Sequence, residues 1–123
     1  MREPGFNACA VAAKAAYGKA GTSAAQVGVA EISAGSAAAE LLTLEALGFA
    51  QAGRAIDLYR GAAGPQVNLS GGALPASPVF ATGLVRLAEA ADQLAQGASA
   101  GPAVVHAASG LGAQSHCVFV VEA

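Results

Sequence analysis

The chain has 123 residues, of which 54% are hydrophobic, 5% aromatic and 11% charged, with a formal net charge of -2. That length supports one domain with a single core. The charge speaks against nucleic acid, whose binding needs a basic face to displace counterions, and the hydrophobic content speaks against disorder. No run of about 18 apolar residues marks a membrane span. Residues 1–5 lack the apolar core of a signal peptide, so a cytoplasmic location is expected. Alanine supplies much of the apolar content and there is no Trp. A surface of small, uncharged residues implies closely packed helices and faces buried against something else. Cys9 and Cys117 are too few and too far apart for a disulfide framework.

Taken in order, residues 6–20 are alanine-rich with one polar stripe carrying Lys14 and Lys19, and Gly21 follows where a left-handed cap is expected; the pattern predicts a helix. Residues 22–26 read as a connector. Residues 27–32 are short, branched and apolar and predict a buried strand. After the small-residue loop Ser33-Ala34-Gly35-Ser36 comes a second helix over 37–47, with Leu41, Leu44, Ala46 and Leu47 as core positions and Gly48 as its stop. Residues 51–64 read as irregular, punctuated by Gly53, Gly61 and Gly64. A glycine-rich loop at 68–77 leads to a third helix over 78–96, whose apolar positions include Val79, Leu84, Leu87, Ala88, Ala91 and Leu94. Residues 102–107 and 115–122 are strand candidates joined by a short turn, which predicts an antiparallel pair. The order is that of an α/β fold, a mixed sheet covered by helices. A βαβ layer ordinarily begins with a strand before its first helix. An opening strand is therefore expected to be missing, with a partner completing part of the sheet.

Several of these segments, in this order and spacing, resemble the C-terminal half of the thiolase superfamily, especially the sterol-carrier and lipid-transfer types. Residues 12–21 (AAKAAYGKAG) look like that family's "A…AY.KAG" helix. Val29-Ala30-Glu31-Ile32 is similar to its "VDVAEVHDAF" strand and turn, and residues 39–49 (AELLTLEALGF) to the "ELL.YEALGF" helix that follows. Asn68 to Gly83 resembles "NPSGG…GHPxGATG", and residues 104–122 the closing hairpin. The likeness covers nearly all of residues 1–123 and implies a thiolase-like half domain. It also implies carbon–carbon bond chemistry next to a thioester, in which a cysteine takes the acyl group, a histidine moves protons and polar donors hold the oxyanion. The nucleophile belongs to the family's N-terminal half, which these residues do not match.

The catalytic positions implied by the resemblance are altered. Ser77 precedes Pro78 where the family has histidine, and a serine hydroxyl does not titrate near neutral pH. Ser33-Ala34-Gly35-Ser36 replaces the turn that supplies an oxyanion donor. His106-Ala107-Ala108-Ser109-Gly110 stands where a second cysteine is found. Gly71, Gly72 and Gly83 remain, which implies a retained backbone turn. Ser77 and His106 are thus the catalytic candidates. Ser33, Asn68, Gly71, Gly72 and Phe80 are the substrate-binding candidates, with Phe80 partly filling the acyl pocket. Each has a plainer reading: His106 a satisfied strand-edge imidazole, Phe80 a core residue, and Asn68-Leu69-Ser70-Gly71-Gly72 a structural turn without the Lys or spacing of a nucleotide-binding loop.

Cys9 and Cys117 read as core residues. His116 and Cys117 are neighbours on a strand and point to opposite faces, so they are not expected to meet; His116 is expected to bond across the hairpin. No metal-ligand spacing is evident, and no cofactor is expected beyond a coenzyme A ester as ligand. The favoured expectation is a pseudoenzyme-like half-subunit of an acyltransferase-type complex in lipid metabolism. Its partner would be a thiolase-like N-terminal-half or full-length chain. The alternatives are a self-associating scaffold or acyl/CoA-binding homo-oligomer, and an acyl-CoA aldolase-type lyase subunit.

Overall fold

The computed structural model describes residues 6–75, 78–111 and 113–123. Helix α1 (Phe6–Ala20) leads through a short 3-10 turn to strand β1 (Val29–Ile32) and helix α2 (Ala37–Ala46). A 3-10 helix (Ala55–Arg60) and a two-residue strand β2 (Gln66–Val67) follow, then helix α3 (Thr82–Ala95) and strands β3 (Ala103–Ser109) and β4 (Ser115–Val121). The sheet is four-stranded, in the order β2-β1-β3-β4. β1 runs parallel to β2 and to β3, with Ala30 opposite Val104 and Ile32 opposite His106. β3 and β4 form the expected antiparallel hairpin, with His106 opposite Val118 and Ala108 opposite His116.

Strand alternation divides the core in two. Ala30, Ile32 and Val104 point toward α1 and α2 and meet Cys9, Ala13, Leu44 and Leu47. Val29, Ala103 and Val105 point the other way and meet Ala90 and Leu94 of α3. With helices on both faces, every residue of β1 is buried, as in a parallel sheet covered on both sides. Tyr17 fixes α1 on α2 by donating its hydroxyl to the Leu47 carbonyl at 2.8 Å. Ser36 caps α2, accepting from the Ala39 amide at 3.2 Å, so one member of the small-residue loop is a helix start signal. Gly101 admits no side chain, because a Cβ there would lie 2.3 Å from the Gln26 carbonyl oxygen. That close approach seats β1 beside β3, with the Gly28 amide donating to Pro102 O at 2.9 Å.

Three features depart from the sequence reading. The stretch 51–67 is more ordered than expected: it holds the 3-10 helix and β2, the latter too short to show any periodicity. Helix α3 begins at Thr82, since residues 78–81 form a turn in which Ala81 N–H donates to Pro78 O at 2.7 Å. Cys117 is exposed, because β4 is an edge strand whose Cys117 face is not covered as β1 is; α1 covers its other face, and α3 packs on β1 and β3.

The face of α3 also differs. Arg86, Ala90 and Leu94, one helical stripe, are buried. Leu84, Ala88 and Ala91, which the sequence reading named with Leu94 as apolar positions, form a second apolar stripe that is exposed. Among the described residues, no helix is long and apolar enough to cross a membrane.

Candidate functional site

At the C-terminal ends of β1 and β3 the chain leaves a hollow of about 280 Å³. Ligand sites of open α/β sheets lie in such crevices, where loops rather than strands meet. Three loop regions build this one, with α1 and β4 closing one side. Ser33, Ala34 and Gly35 come from the end of β1, with Ala39 and Thr43 of α2 behind them. Ala73, Val79 and Thr82 come from the glycine-rich loop and the start of α3. Ala108, Ser109, Gly110 and Ala113 come from the β3–β4 turn, and Phe6 and His116 close the side toward α1. The walls are small apolar groups and hydroxyls. His116 is the one titratable side chain among the described residues that line it.

A buried polar network holds the glycine-rich loop to the sheet. Glu31 of β1 is fully buried, and its two oxygens are well used. Oε1 accepts from the Ser70 amide at 3.0 Å and from Gln93 Nε2 at 2.8 Å. Oε2 accepts from the Ser70 hydroxyl at 2.6 Å and forms an ion pair with Arg86 at 3.2 Å. Arg86 also donates to Ser70 Oγ at 2.7 Å, and that oxygen accepts the Gly72 amide at 3.3 Å. A buried carboxylate is tolerated when paired and hydrogen-bonded in this way.

Asn68 adds a second pin. Its Oδ1 accepts the Ile32 amide at 2.8 Å and its Nδ2 donates to Glu40 Oε2 at 2.9 Å. Glu40 in turn accepts from the Tyr59 hydroxyl. Gly71 and Gly72 have φ of 94° and 68°, left-handed values that favour glycine.

A third cluster borders the hollow. His106 Nε2 and His116 Nδ1 lie 2.9 Å apart and their rings stack at 5.2 Å. The hairpin register puts both rings on the α1 face, where Cys9 is fully buried. Burial first, and then the nearby His116, pull the His106 pKa down to about 4. Burial pushes the Cys9 thiol up to about 11. His106 is therefore a neutral imidazole at neutral pH, and Cys9 is a thiol with neither the exposure nor the ionisation of a nucleophile.

The structure places the sequence-derived candidates unevenly. Ser33 lines the hollow. His106 does not line it; it touches the hollow through His116. Asn68, Gly71 and Gly72 lie behind the wall as its support, with the Asn68 amide already engaged at both ends. Phe80 does not fill the hollow: its side chain is wholly exposed, and Val79 takes the wall position. Ser77 lies outside the described residues. Gly83 is not a turn residue. It allows a helix-to-strand approach, since a Cβ there would sit 2.8 Å from Ala107 Cβ. Sequence reading missed Arg86 and Gln93, which look like solvent-facing polar positions of an amphipathic helix. It also missed the meeting of Cys9 with the two histidines.

No curated protein matches the chain. A family model does, across residues 1–122, and its description is thiolase C-terminal domain-like. With a mixed sheet covered on both faces by helices, and with the matching loops gathered around one hollow, the chain belongs to the thiolase C-terminal domain-like family.

Proposed function

We propose that this thiolase-like half works as a subunit of an acyl-CoA acyltransferase-type assembly. It supplies one wall of the acyl site, while the nucleophilic cysteine and the catalytic base come from outside these residues. The observation that carries the reading is the composition of the hollow. The β1–α2, glycine-rich and β3–β4 loops converge there, yet the described lining residues present the hydroxyls of Ser33, Thr43 and Ser109 rather than a thiol or carboxylate. Both cysteines lie elsewhere, Cys9 in the core and Cys117 on the surface. Hydroxyl donors and small apolar walls suit holding a thioester carbonyl and its acyl chain.

A partner is supported by the surface around the hollow. Val79 is 81% exposed, Phe80 102%, Leu84 70% and Leu111 89%. These belong to the glycine-rich loop, the start of α3 and the β3–β4 turn, which are the segments that border the site. Leu84 continues along α3 as the exposed stripe with Ala88 and Ala91. Large apolar side chains gathered on neighbouring segments mark a contact surface rather than scattered exposure. In this reading the partner is a thiolase-like N-terminal-half or full-length chain, and it also extends the sheet.

Native mass spectrometry of the chain purified from its own host, without overexpression, tests the assembly. The expected result is a stoichiometric complex with a thiolase-like chain, released by Leu84→Asp with Phe80→Asp. A folded monomer that binds no apolar dye would remove the reading. A bare homo-oligomer would favour the second reading, an acyl/CoA-binding scaffold, which the largely apolar lining of the hollow also supports.

A further inference from the structure

We propose that Cys9, His106 and His116 form a three-ligand site for a divalent transition metal, zinc above all, with its fourth position open toward the hollow. The three side chains come from α1, β3 and β4, and each offers a ligand atom within 4.8 Å of the other two. Their separation in sequence hides them from any spacing rule, yet packed secondary structure holds all three. Rigid elements are what a metal site needs beneath its ligands.

The donor set selects the ion. One sulfur and two imidazole nitrogens, with no carboxylate, suit a borderline-soft cation such as zinc or cobalt. Magnesium and calcium want oxygen donors. The geometry needs little adjustment. A tetrahedral zinc site sets its nitrogens about 3.3 Å apart and sulfur about 3.6 Å from nitrogen. The ring nitrogens here stand 2.9 Å apart, and no ligand-atom separation exceeds 4.8 Å. The nitrogens would have to part by about 0.4 Å and the sulfur to approach by up to about 1.2 Å.

Without an ion, the two inner ring nitrogens that would hold it are bonded to each other. His106 is fully buried, and its Nδ1 and the Nε2 of His116 are buried without a hydrogen-bond partner among the described residues. Two neutral rings carry two N–H groups. One lies in the bond between them, and the other is left on an outer nitrogen with no acceptor, whichever tautomers are drawn. The ion takes the inner nitrogens, so in the loaded site both outer nitrogens carry N–H groups and the ion satisfies neither. A bound ion bonds to both rings and to the sulfur. Binding releases the Cys9 thiol proton to solvent and moves the proton between the rings to an outer nitrogen.

The open position follows from placement. His116 is half-buried and lines the hollow, whereas Cys9 and His106 are sealed in the core. The fourth ligand therefore enters from the hollow, as water or another small donor. Three protein ligands leave one exchangeable position, at which the ion can hold a small donor from the hollow. The plainer alternative is a buried cysteine packed beside a hydrogen-bonded histidine pair, and it predicts no ion at all.

The test uses untagged, chelator-stripped protein carrying Cys117→Ser, which removes the exposed thiol. Cobalt(II) is titrated in, then zinc(II). The expected result is one ion per chain, a thiolate-to-cobalt charge-transfer band, the visible bands of a four-coordinate site, and displacement of cobalt by zinc with a rise in Tm. Cys9→Ala should abolish the charge-transfer band, and His116→Asn should weaken binding by about 10-fold or more. A folded Cys117→Ser protein that takes up no cobalt would overturn the proposal, as would a charge-transfer band that survives Cys9→Ala. Should Cys9→Ala fail to fold, unchanged affinity in His116→Asn overturns it equally.

Discussion

Arg86→Ala will destabilise the domain by about 3–5 kcal/mol, the range for removing one partner of a buried ion pair. The side chains of Arg86 and Glu31 are 3% and 0% exposed. Truncating the arginine leaves a carboxylate in the core with only Ser70 and Gln93 to compensate it. A small domain has about 5–15 kcal/mol in total, so urea unfolding should show a large fall in the transition midpoint. The damage should be greatest at the glycine-rich loop. The Ser70 and Gly72 amides both end in this network, and their hydrogen exchange should accelerate more than that of Val104 or Val105 in β3. Replacing both charged residues by leucine should cost less than the sum of the two single leucine changes, by up to about 3 kcal/mol, because neither charge is then left unpaired. If Arg86→Ala loses under about 1 kcal/mol, the network does not hold the loop.

Asn68→Ala will lose about 2–4 kcal/mol, from two separable causes. Asn68 adopts a φ of 48°, which alanine enters only with strain. Its Oδ1 is the acceptor for the Ile32 amide at the end of β1, and an amide left buried without an acceptor is costly. Asn68→Gly separates the two: it should recover about 1 kcal/mol of backbone strain and leave the hydrogen-bond loss in place. Thermal or urea unfolding of both variants measures this. A change within about 0.5 kcal/mol, the scale of an uninvolved surface substitution, would mean the asparagine pins nothing and would return it to the list of ligand-binding candidates.

How much of this was legible in the sequence differs by element. Helix α1 and the stops at Gly21, Gly48 and Gly97 could be read directly, because a left-handed φ after a helix leaves a glycine in the text; these three have φ of 65°, 85° and 78°. The hairpin was legible from two apolar runs around a short turn. The two-residue β2 was not, since its pairing to β1 depends on the Gly28 carbonyl accepting the Gln66 amide at 2.9 Å and not on any local pattern.

The face of α3 misled for a physical reason. Leu84, Ala88 and Ala91 look like a core stripe, and they are apolar in the structure too, but the sheet takes the stripe that carries Arg86. A helix with two apolar faces cannot reveal from sequence which one meets its own sheet. The hollow was legible as a set of loops. Its residues were less so: Val79 and Phe80 are exposed neighbours in the turn at 78–81, and only Val79 borders the hollow. The Cys9, His106 and His116 cluster was invisible, because only sheet register and helix packing bring those positions together.

The central claim is that the chain contributes architecture to a thioester site whose reacting groups lie elsewhere. Turnover of a 3-ketoacyl-CoA with free coenzyme A tests it most directly, measured on the isolated chain and on the complex taken from its own host. The account predicts no turnover above buffer for the isolated, folded chain, and turnover by the complex that is abolished when the partner's nucleophilic cysteine is alkylated. Thiolysis by the isolated chain at the rate of the complex would contradict it.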